Sequence, residues 1–366
     1  MITSFFTSFS RLAPRTGARL AIGVDIGSHS IKAVQVEHVA GGLPRIVAAL
    51  IRARSAPGVI AAEEATALAE ALRAAGFVGR TAIIAAPPAD ALIATLELPP
   101  RSSNAPLDQL ARMELARNAR MTPDSFEMAW WELPQASRAS RGTRAMAVAV
   151  PHQKSDALLD VVEEAAFDIA AIDLDPVALV RACTPALSQQ GITAILDIGA
   201  GPASLSFVHQ GVVVFNRRLP EVSVGALKTE LCQRLSIEVD VAEYLLAEIG
   251  VGCDDGRASS PDEDTVALPD EGRRLVTNFT DSMIRELALS VDYAAHMYPD
   301  APVGRLLLTG GGAGMAGLPQ RLAASLSIEA KPGTPVELAA CDPALHAVCA
   351  LPALTLALGL ATHDMQ

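Results

Sequence analysis

The sequence predicts an α/β fold made of two related halves, and two observations support that prediction. First, an apolar segment that ends in Asp-Ile-Gly occurs twice, at residues 18–27 and again at 192–199. Each copy leads into a second run of alternating polarity, so each predicts two strands joined by a short glycine turn. Second, predicted strands alternate with helices along most of the chain, as is typical of the α/β class. At 366 residues the chain is long enough for both halves.

The first half predicts a lobe that is interrupted by a smaller insert. A helix is expected over 63–75, because its apolar residues lie three and four apart and Gly76 follows as a C-terminal stop. A buried strand at 81–86 ends at two prolines, and an Arg-rich helix at 106–121 then follows between strands. We expect the first lobe to span 21–90 and 151–190 and the insert to span 91–150. Within the insert, strands are expected at 126–133 and 145–150. Within the first lobe, further helices are expected at 155–166 and 175–182.

The second half, residues 191–350, predicts another lobe that opens with the second Asp-Ile-Gly turn. The stretch at 253–271 is acidic and rich in Ser, Pro and Gly, which is typical of a mobile surface loop. A long amphipathic helix follows it, and a buried strand then runs into a glycine cluster. The expected helices span 222–235, 239–249, 275–298 and 318–326, and the expected strand spans 305–309.

The two ends of the chain carry separate expectations. Residues 1–20 predict a tail in which apolar side chains recur at helical spacing before three arginines, as in a helix at a membrane surface. A frayed tail is the open alternative, and the basic start of an export signal is missing. The apolar stretch at 344–361 contains a proline and is shorter than the ~20 residues of a membrane span. We therefore expect a buried helix there, whose part at 351–366 returns to the first lobe.

The composition indicates a large aliphatic core and argues against a nucleic-acid partner. Half of the residues are hydrophobic and only 4% are aromatic. Acidic residues outnumber basic ones by 41 to 29, for a formal net charge of −12, whereas contacts to nucleic-acid phosphates need clustered Lys and Arg. The five cysteines are widely spaced, which favours a reducing compartment over a disulfide framework or a zinc site.

The two Asp-Ile-Gly turns are candidate phosphate-binding loops from opposite lobes. Glycine lets the backbone approach an anion, and successive free N–H groups form an anion-binding concavity. Asp25 and Asp197 would hold Mg²⁺ mainly through water, as that ion prefers. The interpretation requires that the two aspartates share one cleft. The predicted phosphate-site residues are Asp25, Gly27, Ser28, His29, Ser30 and Lys32 in the first turn and Asp197, Gly199, Ala200 and Gly201 in the second.

A third glycine run, Gly310-Gly311-Gly312-Ala313, follows a buried strand and predicts a nucleoside contact. Backbone without side chains can lie flat against a nucleoside. The run lacks the Gly-Lys-Ser/Thr of a Walker A loop and the third glycine of a dinucleotide fingerprint. These two common phosphate motifs are therefore excluded here.

In this order, the three glycine motifs resemble the phosphate-1, phosphate-2 and adenosine motifs of the superfamily of actin, sugar kinases and heat-shock ATPases. Within it, the chain resembles the FtsA-like PilM family of type IV pilus assembly proteins. That resemblance rests on the segments 22–32, 113–124 and 351–361 and covers nearly the whole chain from about Ala21. It implies an actin-like (ribonuclease H-like) duplicated two-lobe fold with a small inserted α+β subdomain.

The resemblance implies an ATP- and Mg²⁺-binding cytoplasmic scaffold that is peripheral at the inner membrane. Such a scaffold would dock the cytoplasmic N-terminal peptide of a PilN-type membrane protein in a groove of the insert, and would contact other proteins of the pilus platform. A solvated helix face and half-buried sheet aromatics are the alternative roles of the residues proposed for that groove. These residues are Arg112, Arg117, Arg120, Trp130 and Trp131.

Two further roles follow from the resemblance. Asp175 stands where the chaperone relatives place a carboxylate that positions the attacking water, although Asp is one methylene shorter than the usual Glu. An N-cap role for Asp175, with Pro176 at the first helical position, is equally open. Glu243 matches the glutamate of a ribose-contacting Glu-x-x-Lys pattern.

Three departures from the superfamily pattern weaken the expected nucleotide site. Ala203 replaces a hydroxyl residue, Ser223-Val224 replaces a pair of glycines, and Leu246 replaces the lysine of the Glu-x-x-Lys pattern. Each lost contact is worth roughly 1–3 kcal/mol, so together they lower the affinity on the order of a hundredfold. We therefore expect nucleotide binding with at most slow ATP hydrolysis.

Other members of the superfamily remain alternatives. A small-molecule kinase needs a catalytic base beside an acceptor pocket, and the sequence offers no convincing aspartate for it. An FtsA-like cell-division protein usually carries a C-terminal membrane helix, whereas this sequence stops after an apolar stretch of the buried type. A scaffold of a related secretion system stays open.

Overall fold

The structure is a computed structural model that describes residues 16–58, 60–135, 142–164, 167–251 and 269–365. The predicted membrane-surface helix and most of the predicted acidic loop lie outside the described residues. The predicted end of the loop at residue 271 is wrong, because Asp270 and Glu271 form the first turn of a helix. Their carboxylates suit that position, since the helix dipole is positive at its start.

The elements alternate between strands and helices along the chain. The strands are β1 (Ile22–Ile26), β2 (Ser30–Glu37), β3 (Arg45–Ala53), β4 (Thr81–Ala85), β5 (Leu92–Leu98), β6 (Phe126–Glu132), β7 (Thr143–Pro151), β8 (Asp168–Asp173), β9 (Ile192–Asp197), β10 (Pro202–His209), β11 (Val212–Ser223), β12 (Val303–Thr309), β13 (Glu329–Pro332) and β14 (Ala340–Cys341). The helices are α1 (Ala62–Ala74), α2 (Leu107–Ala119), α3 (His152–Glu164), α4 (Asp175–Cys183), α5 (Val224–Leu235), α6 (Val239–Glu248), α7 (Asp270–Met297), α8 (Leu318–Leu326), α9 (Pro335–Leu338), α10 (His346–Cys349) and α11 (Thr355–Ala361).

Two of the three sheets found among the described residues repeat one arrangement. Their strand orders are β14-β3-β2-β1-β4-β8 and β11-β10-β9-β12-β13. In each, the central strand β1 or β9 pairs antiparallel with the strand that follows it and parallel with a later one. The two Asp-Ile-Gly turns therefore connect equivalent hairpins, which confirms the predicted duplicated α/β fold.

The third sheet, β5-β7-β6, belongs to the insert and has a small core of its own. Leu115 of α2 packs there with Leu96 and Phe126 of the sheet. Adjacent residues of a strand face opposite sides, so Trp130 packs towards this core while Trp131 enters the main core. The insert is thus fixed to the body of the protein through the second face of its sheet.

Several strands of the structure are not predicted from the sequence pattern. The sequence pattern predicts no strand at β3 or β8. It predicts none at β11 either, because Asn216-Arg217-Arg218 interrupt the apolar run of that strand. The helix predicted from residue 222 begins at Val224, because β11 extends to Ser223. The Ser223 hydroxyl then accepts a hydrogen bond from the Ala226 N–H and caps the helix. Pairing with a neighbouring strand, rather than local pattern, decides these elements.

Both predicted ends differ in detail from the structure. Gly17 and Leu20, assigned to the tail, donate backbone hydrogen bonds to the end of β2 and its following turn. The single C-terminal helix expected over 344–361 is wrong, since α10 ends at Cys349 and Leu351 is exposed before Pro352 starts a new turn. A proline lacks the N–H that a continuous helix needs.

The described helices were compared with the length and apolar character that a membrane span needs. Among the described residues no single helix is long and apolar enough to cross a membrane. The helical segments Pro343–Cys349 and Pro352–Ala361 have the required length and composition only when they are taken together, and they are bent by 91° relative to each other.

Helix α11 returns to the first lobe and closes its core by backbone-to-backbone packing. A Cβ atom on Gly23 of β1 would lie 2.2 Å from the Ala357 carbonyl oxygen of α11. A Cβ atom on Gly359 of α11 would lie 2.0 Å from the Ala178 carbonyl oxygen of α4. Both distances are below any real contact, so these positions have space for glycine alone.

Substitution of Gly359 by alanine tests this packing. We expect Gly359→Ala to lower the free energy of unfolding by at least about 2 kcal/mol, because α11 and α4 must separate to admit the methyl group. Gly304→Ala is the matched control, since no atom lies within 4 Å of a Cβ there. Urea unfolding of both variants measures the difference, and equal stabilities would contradict the packing argument.

Candidate functional site

The first Asp-Ile-Gly turn joins β1 to β2 and places a charged pair across the hairpin. Asp25 lies opposite Lys32 in the strand register, and Asp25 Oδ2 is 3.1 Å from Lys32 Nζ. Burial alone would lower the pKa of Lys32, but the Asp25 carboxylate overcomes this effect and the pKa is raised. The Gly27 N–H donates to the Ser30 carbonyl oxygen and closes the turn. Lys32 is therefore held charged at the base of the turn.

The second turn follows β9 and holds a carboxylate that has little compensation. The Thr309 hydroxyl at the end of β12 donates to Asp197 Oδ1 at 2.9 Å. Burial raises the pKa of Asp197 to about 6, and repulsion from Asp25 adds to this, against the Thr309 hydrogen bond and Lys32. No atom lies within 4 Å of a Cβ on Gly201, so the backbone of this turn has open space beside it.

The third glycine run packs directly against the second turn. Gly310 has a φ of +80°, and a Cβ atom there would lie 2.6 Å from the Ile198 carbonyl oxygen. The Gly312 N–H donates to that same oxygen at 2.8 Å. Gly311 is exposed and has nothing within 4 Å of its Cβ position, whereas Ala313 is buried. The run therefore presents bare backbone to the space beside Asp197.

The two turns meet in one place. The charges of Asp25, Asp197 and Asp175 all act on Lys32, and Asp25 acts on Asp197 across the junction of the two lobes. Asp25 and Asp197 therefore lie close enough to interact electrostatically. Three carboxylates share one lysine here, so the cleft lacks positive charge for its acidic side chains.

Asp175 lies at the start of α4 on the wall of this cleft. The N-cap of α4 is Leu174, so Asp175 is the first helical residue and the N-cap role is wrong. Asp175 is buried, and among the described atoms its Oδ1 has no hydrogen-bond partner. Burial and the charges of Asp25, Asp197 and Asp173 raise its pKa well above the usual range. A buried carboxyl without a partner is costly, which is typical of a functional position.

Helix α5 supports the second turn through residues that the sequence comparison with the superfamily did not identify. The pair Ser223-Val224 stands where the superfamily pattern has two glycines, but a glycine, Gly225, follows directly after it. The Gly225 N–H donates to the Ala200 carbonyl oxygen, and a Cβ atom there would lie 2.5 Å from that oxygen. The Ser223 hydroxyl donates to the same oxygen. Ala203 is fully buried, so its side chain does not face the cleft.

A second polar cluster connects the first turn with helices α5 and α6. Lys228 of α5 forms an ion pair with Glu243 of α6. Partial burial, and then the Lys228 charge, lower the pKa of His29 in the first turn. Leu246 is buried, so its side chain belongs to the core. Ser28 is exposed and Ser30 partly buried on the same turn as His29.

The residues of the cleft are suited to Mg²⁺ held through water. In the part of the chain that the structure describes, no group of three or more His, Cys, Asp or Glu side chains could hold a metal ion directly. Asp25 and Asp197 are two carboxylates from facing turns. Mg²⁺ typically keeps several waters and takes one or two carboxylates together with substrate phosphates. The pair therefore fits a magnesium–phosphate group better than a bare metal.

The residues predicted for a partner groove have different surroundings in the structure. Trp131 is buried, and its indole N–H donates to the Val213 carbonyl oxygen of β11. Arg112 donates to the Pro123 and Phe126 carbonyl oxygens, so it holds α2 on the sheet of the insert. Arg117, Arg120 and Trp130 lie at or near the insert surface, with the Trp130 indole N–H donating to Asp108. Trp131 and Arg112 thus have structural contacts in the described residues.

A cavity of about 200 Å³ lies where the insert meets the two lobes. Ile93 of β5 and the turn at Pro88 form one side, and residues of β10 and β11 form the other. Asp175 is one of the lining residues, so the cavity and the cleft between the two turns share this residue. The lining residues are Ala86, Pro88, Ala91, Ile93, Leu174, Asp175, Pro176, Ser204, Asn216, Arg217 and Arg218. The polar residues of β11 are not among the site residues predicted from the sequence, because β11 itself is not predicted.

Comparison with known sequences identifies a family. The profile described as type IV pilus assembly protein PilM matches residues 23–250, which is more than half of the chain. No curated protein sequence matches.

Comparison with solved structures confirms the actin-like two-lobe fold. The chain is similar to one in the structure described as the PilM-PilN type IV pilus biogenesis complex, with 21% identity, a TM-score of 0.73, and coverage of 96% of this chain and 100% of that one. It is similar to the ethanolamine utilization protein EutJ of Carboxydothermus hydrogenoformans, with 17% identity, a TM-score of 0.53, and coverage of 95% and 90%. It is also similar to MreB5 of Spiroplasma citri bound to AMPPNP, with 13% identity, a TM-score of 0.50, and coverage of 94% and 95%.

Replacement of Asp197 by asparagine tests the electrostatics of the cleft. The folded pKa of about 6 exceeds the value of an unfolded aspartate, so ionisation of Asp197 destabilises the fold as the pH rises from about 4 to 6. Asn keeps the acceptor for Thr309 and carries no charge. We expect Asp197→Asn to be more stable than the wild type by about 3 kcal/mol above pH 6, with no difference below pH 4. Unfolding in urea at each pH measures this in the absence of nucleotide.

The exposed Asp300→Asn variant is the control for that experiment, and it should match the wild type at every pH. A stability deficit of Asp197→Asn at pH 8 would show that the carboxylate is stabilising and would contradict the argument.

Proposed function

We propose a function for this chain, which belongs to the family of the type IV pilus assembly protein PilM: it is an ATP-binding scaffold of the pilus assembly platform. The observation that carries the proposal is the convergence of Asp25, Lys32 and Asp197 from two equivalent turns, one from each lobe. Such an arrangement suits a polyphosphate with Mg²⁺. The MreB5 neighbour, which is bound to AMPPNP, supports a nucleotide as the ligand.

Each part of a nucleotide has residues in this chain that suit it. The backbone N–H of Gly201 in the second turn would bind phosphate oxygens, and Lys32 would supply positive charge to them. The exposed backbone at Gly311 would lie against the nucleoside. Asp25 and Asp197 would hold Mg²⁺ mainly through water. When bound, the metal and the phosphates supply the charges that balance the carboxylates of the cleft.

We propose that the role of this nucleotide is structural. The Asp175 residue is only 8% exposed, which limits the approach of a water molecule to its carboxyl group. Its side chain is also one methylene shorter than glutamate. The chain would therefore bind ATP and turn it over slowly at most.

The partner would be the cytoplasmic N-terminal peptide of a PilN-type membrane protein. The neighbour described as a PilM-PilN complex supports this class of partner. We assign the docking site to the cavity between the insert and the lobes, because it combines an apolar side at Ile93 with the polar side chains of Asn216 and Arg218. Apolar walls with a few fixed polar groups are typical of binding sites. Binding there would place the chain at the cytoplasmic side of the inner membrane, beside the other platform proteins.

Nucleotide binding is tested by thermal unfolding with and without MgATP and by direct titration. MgATP should raise the melting temperature of the wild type, because a ligand of the native state stabilises it. Gly311→Leu should keep the stability of the free protein, since the position is open, and should lower the affinity for ATP at least about tenfold by filling the nucleoside space.

Gly304→Leu is the matched control, because that glycine is also exposed and has no atom near its Cβ position. Its affinity for ATP should equal that of the wild type. A wild type without any response to MgATP would overturn the nucleotide proposal.

Peptide docking is tested by a charge reversal at the cavity. Arg218→Glu should weaken binding of a synthetic peptide with the N-terminal sequence of the PilN-type protein at least about tenfold, because a charged contact at the mouth of the cavity is lost. Fluorescence anisotropy of the labelled peptide measures the affinity. Arg274→Glu on the exposed surface of α7 is the control. Equal effects of both variants would indicate a general effect of charge and would contradict the assigned site.

A further inference from the structure

Lys228 is a cation at the cleft to which the sequence motifs assign no role. It lies on α5 one turn after Gly225, whose N–H contacts Ala200 in the second Asp-Ile-Gly turn. The start of the helix thus brings Lys228 beside that turn. Only 13% of the Lys228 side chain is exposed, although a lysine usually extends into solvent.

The amine of Lys228 also acts on the first turn, across the junction of the lobes. After partial burial, its charge is the largest cause of the lowered pKa of His29, whereas Glu243 opposes the shift. Lys32, the lysine of the first turn, is already paired with Asp25 at 3.1 Å. Lys228 is therefore a cation near both turns whose charge is not balanced by the aspartates of the cleft.

The partner of Lys228 is weakly held and could be exchanged. Glu243 is 55% exposed on its side chain, and an ion pair with an exposed partner contributes little to stability. An ammonium group has three donors, and in the described structure one hydrogen bond, to Glu243, is assigned to it. Phosphate oxygens carry more charge than one carboxylate, so they are suitable further partners for the remaining donors.

The position of Leu246 explains why such a cation is needed here. The resemblance places a lysine at 246, three residues after Glu243, but Leu246 is buried in the core and has no charge. Lys228 reaches the same glutamate from the neighbouring helix. The positive charge is thus present near Glu243, although it comes from α5.

We propose that Lys228 binds the phosphates of the nucleotide and that Glu243 holds its amine in position for them. This inference rests on the proposed function, because it names a contact of the same nucleotide site. Lys228 takes the place of the missing motif lysine, and it acts on the phosphates, since α5, which carries it, begins against the second turn.

The test compares ATP with adenosine, which has no phosphates. Isothermal titration of the full chain gives the ratio of the two dissociation constants for the wild type, Lys228→Gln, Lys228→Arg and Lys154→Gln. Lys228→Gln should weaken ATP binding about tenfold or more and leave adenosine binding unchanged, so the preference for ATP falls by the same factor. Lys228→Arg should keep the preference, because it keeps the charge. The control, Lys154→Gln, removes a half-exposed lysine whose Nζ lies 3.0 Å from Asp90 Oδ1, and it should change neither constant.

Glu243→Gln separates a direct contact from loss of the ion pair. This variant removes the pair but keeps the amine, so its preference for ATP over adenosine should fall by clearly less than that of Lys228→Gln. If Glu243→Gln lowers this preference as much as Lys228→Gln does, the lysine acts only through the ion pair and the inference is overturned. An unchanged preference in Lys228→Gln, or an equal loss of ATP and adenosine binding, overturns it as well.

The same measurements separate this inference from the proposed function. A wild type that binds neither ATP nor adenosine overturns the proposed function and the inference together. A wild type that binds ATP, with a Lys228→Gln variant that binds it equally well, overturns the inference alone.

Discussion

The repulsion among Asp25, Asp197 and Asp175 around Lys32 is the constraint on which the rest of the site depends. One carboxylate is compensated by the lysine, whereas burial raises the pKa values of the other two. A fold selected for stability alone would avoid such a group of charges. A bound ligand with compensating charge would reduce the repulsion among these carboxylates, and a magnesium–polyphosphate group has that property.

Close approach of backbone segments holds the turns against this repulsion. Gly23 and Gly359 let β1, α11 and α4 pack together beneath the first turn. Gly225 and Gly312 donate backbone hydrogen bonds to Ala200 and Ile198 in the second turn. The glycines that matter here therefore serve two purposes. Some leave space for a ligand, and others fix the turns by direct contact with neighbouring backbone.

The proposed nucleotide cleft and the cavity beside the insert share Asp175 at the start of α4. Its carboxyl interacts with the aspartates of both turns, and the same residue lines the cavity together with side chains of β11. Trp131 binds the insert to β11 through the Val213 carbonyl oxygen. The insert therefore contacts the second lobe directly, and a partner in the cavity would lie against elements that also border the phosphate turns.

The sequence by itself determined the duplicated hairpins, the order of the glycine motifs and the helices with clear periodicity, because these features depend on residues close together in the chain. Their family and fold followed from the same motifs. Only the tertiary structure showed that β11 is a strand despite its polar triplet, that Trp131 is buried, and that Gly225 and Lys228 lie at the cleft. Strand pairing and contacts between helices join residues far apart in sequence, and local pattern does not record which distant residues will meet.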